Sequence, residues 1–171
     1  LAAQPRTPIR RLVINDVGPF VPKEALRRLA DYVGADPHFA EFDEGLAYLK
    51  RIHAPFGNLS QAEWQHLANH SLRPDDREGG YRLAYDPKIG APFEEHGKIE
   101  DVDLWKLWDT IQCPVLVLRG AESDLLLPDT AAKMTRRGPK AELIEVPDCG
   151  HAPALMASDQ VGAITDWLAR T

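Results

Sequence analysis

Apolar residues along the chain fall into two rhythms, and the change from one to the other divides it. Leu12, Val13 and Ile14 form a short β-branched run closed by Asn15, Asp16, Gly18 and Pro19, the pattern of a buried strand ending in a turn. Residues 114–118, "PVLVL", and 141–146, "AELIEV", are further strand-like runs; the first is apolar throughout, as a strand buried on both faces requires. Between the first strand and the second the rhythm is helical. Residues 22–33 carry apolar positions at 25, 26, 29, 30 and 33, with Pro22 near the start. Residues 37–53 repeat the spacing with Phe39, Phe42, Leu46 and Leu49, and 60–71 open on Ser60 with Glu63 three positions on, a capping box. Residues 101–110 predict a short amphipathic helix bearing Trp105 and Trp108, while 73–93 are rich in turn residues and predict an ordered loop. No strand is expected anywhere in this middle block.

After residue 114 the order is strand, helix (128–137, Pro128 to Gly138), strand, helix (158–170, with Ser158 as its cap). That alternation predicts an α/β protein with parallel strands joined by helical crossovers. The expected organisation is residues 1–21 in the core, 22–108 as a helical insertion, and 109–171 in the core again.

Composition narrows the partners. A net charge of −6, with basic residues only in isolated pairs such as Arg136-Arg137, excludes a nucleic-acid surface. No run approaches ~18 apolar residues, so no membrane span is expected. The opening "LAAQPRTPIRR" lacks the charged-then-apolar pattern of a signal segment; "LAAQP" reads as the last turn of an apolar helix stopped by Pro5, as if the chain begins within a fold. Cys113 precedes its strand and Cys149 follows its own, so parallel pairing sets the sulfurs roughly 20 Å apart. A disulfide needs Cα atoms within ~7 Å, which points to a reduced, cytoplasmic protein.

Ligands of parallel α/β sheets collect at the carboxyl ends of the strands. Three turns occupy that edge, and each holds titratable groups: Asp16; Glu122 and Asp124; Asp148 and His151. In "PDCGHAP" the histidine stands beside Gly150, which permits a sharp turn. One carboxylate and one histidine from such turns match the orienting pair of a nucleophile–His–acid triad. His66 and His70 share a helix face at zinc-like spacing, but no third ligand accompanies them, and no metal is expected.

"RGAESDLLLP", helix, strand and "PDCGHAPALM" together resemble the C-terminal third of the α/β-hydrolase fold. Gly120, Asp124 and Pro128 resemble that family's acid element, with one more residue between Gly and Asp than usual, and Gly150-His151 matches its histidine turn. The resemblance implies a parallel-sheet α/β-hydrolase fold fragment with a helical cap inserted over 22–108. It implies a hydrolase of a small, fairly apolar ester or related acyl substrate, with no cofactor. His151 would be the general base and Asp124 its orienter, with Asp16 the competing acid, since some members place the acid one strand earlier. Trp105 and Trp108 would line the substrate pocket. The G-x-S-x-G nucleophile elbow occurs nowhere in the chain, so the nucleophile is expected upstream and the 171-residue piece alone is expected to be inactive without that N-terminal half. The alternatives are a non-catalytic ligand-binding protein on this fold, or dehalogenase, epoxide-hydrolase or cofactor-free peroxidase chemistry.

Overall fold

A computed structural model describes residues 1–95 and 99–170. In chain order the elements begin with β1 (Leu12–Asn15), β2 (Phe20–Val21), α1 (Lys23–Ala30), β3 (His38–Phe39) and α2 (Phe42–Ile52). There follow α3 (Gln61–Ser71), β4 (Leu72–Pro74), β5 (Tyr81–Leu83), α4 (Ala91–Glu95), β6 (Val102–Asp103) and α5 (Trp105–Trp108). The chain closes with β7 (Val115–Gly120), α6 (Pro128–Met134), β8 (Glu142–Val146) and α7 (Ser158–Ala169). Two compact units result: residues 1–25, 55–57 and 100–171 form one, and 26–54 with 58–99 the other.

In the first unit β1, β7 and β8 make a parallel sheet with β7 in the middle. Leu12 pairs with Val115 and Ile14 with Val117, while Leu118 pairs with Ile144 and Gly120 with Val146. Because successive side chains alternate faces, Val115 and Val117 pack on one side with Leu126, Ala131 and Met134. Leu116 and Leu118 pack on the other with Val146, Cys149 and Trp167 of α7. Every residue of β7 is buried, as its unbroken apolar run requires. Arg119 is the exception in character: it is 2% exposed, donates from Nε to the Leu126 carbonyl at 2.8 Å, and pairs with Glu145 at 2.7 Å. It thereby ties the turn after β7 back to the sheet. Pro128 opens α6 at the position where its missing N–H has no partner to lose. The N-cap of α7 is Ala157 and carries no side-chain bond, so the expected cap at Ser158 is the first helical residue instead.

The second unit packs α2 and α3 against a small antiparallel sheet in the order β3-β5-β4 around Phe39, Leu46, Leu49, Ala68, Leu72 and Leu83. The Ser60–Glu63 capping box forms in full at the start of α3. The middle block was expected to hold no strand, and that expectation is corrected. Strands of two or three residues are too short to show an alternation, and the stretch expected as loop folds into a β4–β5 hairpin. Gly79 and Gly80 carry its turn at φ of +74° and +69°, where other residues would be strained. Residues 37–41, expected as helix, hold β3, and α2 starts only at Phe42. The Trp105–Trp108 helix lies with the parallel sheet rather than with the helical block.

Candidate active site

The three turns at the carboxyl edge of the sheet converge on one cluster. β1 runs into Asp16, whose N–H still donates to the Leu118 carbonyl at 2.8 Å, so the residue is held as an extension of the ladder. Its φ of +54° is left-handed, and an aspartate tolerates that better than most residues. The turn folds the carboxylate inward, to complete burial. Oδ1 accepts the N–H of Gly120 at 2.8 Å, and Oδ2 accepts the Ser123 hydroxyl at 2.6 Å.

The turn after β8 supplies the histidine, and glycine decides its path. A Cβ on Gly120 would stand 2.1 Å from the Gly150 carbonyl oxygen, so only a glycine lets this turn lie across the end of β7. Backbone bonds hold it there: Ala121 N–H donates to Val146 O at 2.8 Å and Glu122 N–H to Cys149 O at 2.9 Å. Gly150 N–H donates to Pro55 O at 2.7 Å, and Asn15 Nδ2 donates to Pro153 O at 2.9 Å. Carried over the central strand, His151 reaches the end of β1.

Its Nδ1 lies 2.8 Å from Asp16 Oδ2 and 3.1 Å from the Asp16 backbone carbonyl. A carbonyl oxygen only accepts, so Nδ1 must carry the proton and donate. That leaves Nε2 of the neutral ring as the lone-pair nitrogen. The carboxylate is fully buried while the imidazole is 21% exposed, so the ring is anchored on one side and reachable on the other. The arrangement is that of a general base with its tautomer fixed.

Asp124 was expected to orient the ring; in the structure it is Asp16 that lies against Nδ1. Strand adjacency favoured Asp124 because β7 and β8 are neighbours, but adjacency fixes only where a turn starts, and this one crosses β7. Asp124 lies exposed on the turn after β7, as does Glu122, and Asp148 is exposed on the turn after β8. Ser123, beside Asp124, reaches the pair from that turn, and its identity as a hydroxyl residue between two acids was its sequence signal. Trp105 and Trp108, expected to line the substrate pocket, are both buried. They pack into the core on the α6 side, where Trp108 Nε1 donates to Arg137 O at 2.8 Å and Lys133 stands 4.4 Å over the Trp105 ring. Their spacing suits a helix that buries both rings.

Cys149 adjoins the histidine but is no nucleophile. Burial, and then the negative charges of Asp16 and Glu122, push its thiol up to about 11, so it stays protonated at neutral pH. Both cysteines are free. His70 Nδ1 bonds to the His66 carbonyl of its own helix at 2.8 Å, so this pair satisfies itself. A grouping of His38, Asp75 and Glu78 has ligand atoms within 4.8 Å of one another. Its His38 Nε2 bonds Gly79 O at 2.7 Å and its Asp75 accepts from Arg77 N–H at 3.0 Å, so these side chains serve the hairpin turn. No helix among the described residues is long and apolar enough to cross a membrane.

Comparison with known proteins bears on the fold and the family. The chain is 41% identical over 167 residues to a Cupriavidus necator protein named 3-hydroxybutyrate-oligomer hydrolase, an overlap covering 94% of this chain and 57% of that one. A crystal structure from Rickettsia typhi superposes with a TM-score of 0.88 at 29% identity, covering 99% of this chain and 57% of that one. An alpha/beta hydrolase from Novosphingobium aromaticivorans gives a TM-score of 0.81 at 36% identity, over 95% and 57% of the two chains. The 171 residues thus span a little over half the length of these relatives. Residues 1–164 match the alpha/beta hydrolase family, and the chain belongs to it.

Proposed function

We propose that this chain carries the base and the acid of an ester hydrolase, with His151 as general base, Asp16 as the carboxylate that orients it, and the nucleophile supplied by sequence upstream of residue 1. The observation that carries this reading is the 2.8 Å contact between a fully buried Asp16 carboxylate and Nδ1 of a partly exposed His151. In the reaction Nε2 takes the nucleophile's proton as the acyl carbon is attacked, then returns it to the leaving alcohol. Asp16 stabilises the imidazolium formed in between without itself taking the proton. The substrate class we assign is a small, fairly apolar ester. The name of the Cupriavidus necator relative supports short hydroxyacyl esters within that class.

The test is hydrolysis of short-chain nitrophenyl esters and of 3-hydroxybutyrate oligomers by the full-length protein and by its His151→Ala variant. The reading expects turnover that falls by roughly 10⁴-fold or more in the variant, and none from the 171-residue chain alone. Esterase activity of the full-length protein that survives loss of His151 would refute it.

A further inference from the structure

We propose that Ser123 is a positioning residue for the Asp16–His151 pair, its hydroxyl locked as a donor to the carboxylate by two backbone N–H groups. The inference rests on the role proposed above for His151. A hydroxyl has one proton and two lone pairs. Ser123 Oγ accepts from the N–H of Leu125 at 3.2 Å and of Leu126 at 3.1 Å. Backbone N–H groups only donate, so both acceptor positions are filled and the single proton has one destination, Asp16 Oδ2 at 2.6 Å. The site is closed to competing water: Ser123 is 5% exposed and Asp16 is fully buried.

Among the described residues, every hydrogen-bond partner of the carboxylate is then a donor. Gly120 N–H points at Oδ1, the Ser123 hydroxyl at Oδ2, and His151 Nδ1–H shares Oδ2. These donors hold both carboxylate oxygens as acceptors. Ser123 also fixes the side-chain rotation that brings Oδ2 to the ring, because Gly120 holds Oδ1 and Ser123 holds Oδ2. The hydroxyl never meets substrate; it acts through Asp16. The other titratable groups on the packed turns are Cys149, protonated as described, with Glu122, Asp124 and Asp148 exposed.

Removing the hydroxyl takes away a dipole that offsets the carboxylate's charge, so the ring faces more negative potential and the imidazolium is favoured. In the full-length protein Ser123→Ala should lower kcat by roughly ten- to a hundredfold with KM unchanged. The acid limb of kcat/KM should move to higher pH. Ser123→Thr, which keeps the hydroxyl, should restore the wild-type limb, and Ser123→Cys, similar in size with a weak donor, stands in should the alanine variant not fold. A ¹⁵N-histidine NMR titration without substrate reads the same shift in His151 directly. If the protein hydrolyses no ester but the His151 titration still moves up in Ser123→Ala, the functional reading fails and this inference holds. A His151 titration that stays put or moves down in the variant overturns the inference, whatever the esterase activity.

Discussion

At the end of β7 a hydrogen atom in place of a side chain sets the route of the turn that carries His151. Any Cβ on Gly120 meets the Gly150 carbonyl, and backbone cannot yield as a flexible side chain can. Gly120→Ala is therefore expected to cost roughly 1–3 kcal/mol of stability. It should also lower turnover at least a hundredfold by lifting the ring from Asp16, measured as denaturant midpoint and kcat in the same preparation. A variant with wild-type kcat would show that the turn does not depend on this close approach. Cys149 offers a second check at this scale. With its thiol at about 11 and buried, iodoacetamide at pH 8 should label the partly exposed Cys113 first, and Cys149 should react only on unfolding or near pH 11. What was legible at the residue scale was that a turn past the last strand carries His151 to the carboxyl edge of the sheet, because the glycine beside it permits the sharp turn. Choosing Asp16 over Asp124 was not legible. Both follow strands at the same edge, and the choice turns on a loop crossing a third strand end, which needs three-dimensional proximity to see.

At the scale of elements the strength of the sequence signal tracked the size of the element. The apolar run of β7 could only be a strand covered on both faces, and Pro128 and the Ser60–Glu63 box marked helix starts that the structure contains. The strands β2 to β6 left no such trace, since two or three residues complete no period. They are specified instead by their partners: β5 by β3 and β4, and β2 by β6. The tryptophans of α5 sit on the expected helix, and both rings are buried in the core of the parallel-sheet unit. Because β7 is the shared wall of both core clusters, its side chains are the most sensitive in the sheet. Leu118→Ala, at a position with no exposure, should lower unfolding free energy by about 2–5 kcal/mol. A loss under ~1 kcal/mol in chemical denaturation would mean the central strand is not packed as described.

For the whole molecule, fold and family were legible because order and spacing of weak motifs accumulate over nearly the full chain, whereas substrate identity has no such redundancy. The chain supplies a sheet edge, a buried acid and an anchored base, and its relatives are nearly twice its length. The proposed contribution to an ester hydrolase is proton handling, and the proposal's central claim is that Asp16 orients His151. The most direct measurement is kcat of the full-length protein with Asp16→Asn beside Asp124→Asn, on one short-chain ester at saturating substrate. An amide at position 16 would present a donor to Nδ1 and favour the wrong tautomer, so Asp16→Asn should lose roughly 10⁴-fold. Asp124→Asn should stay within about tenfold of wild type. The reverse order, with Asp124→Asn crippled and Asp16→Asn nearly intact, would contradict the account.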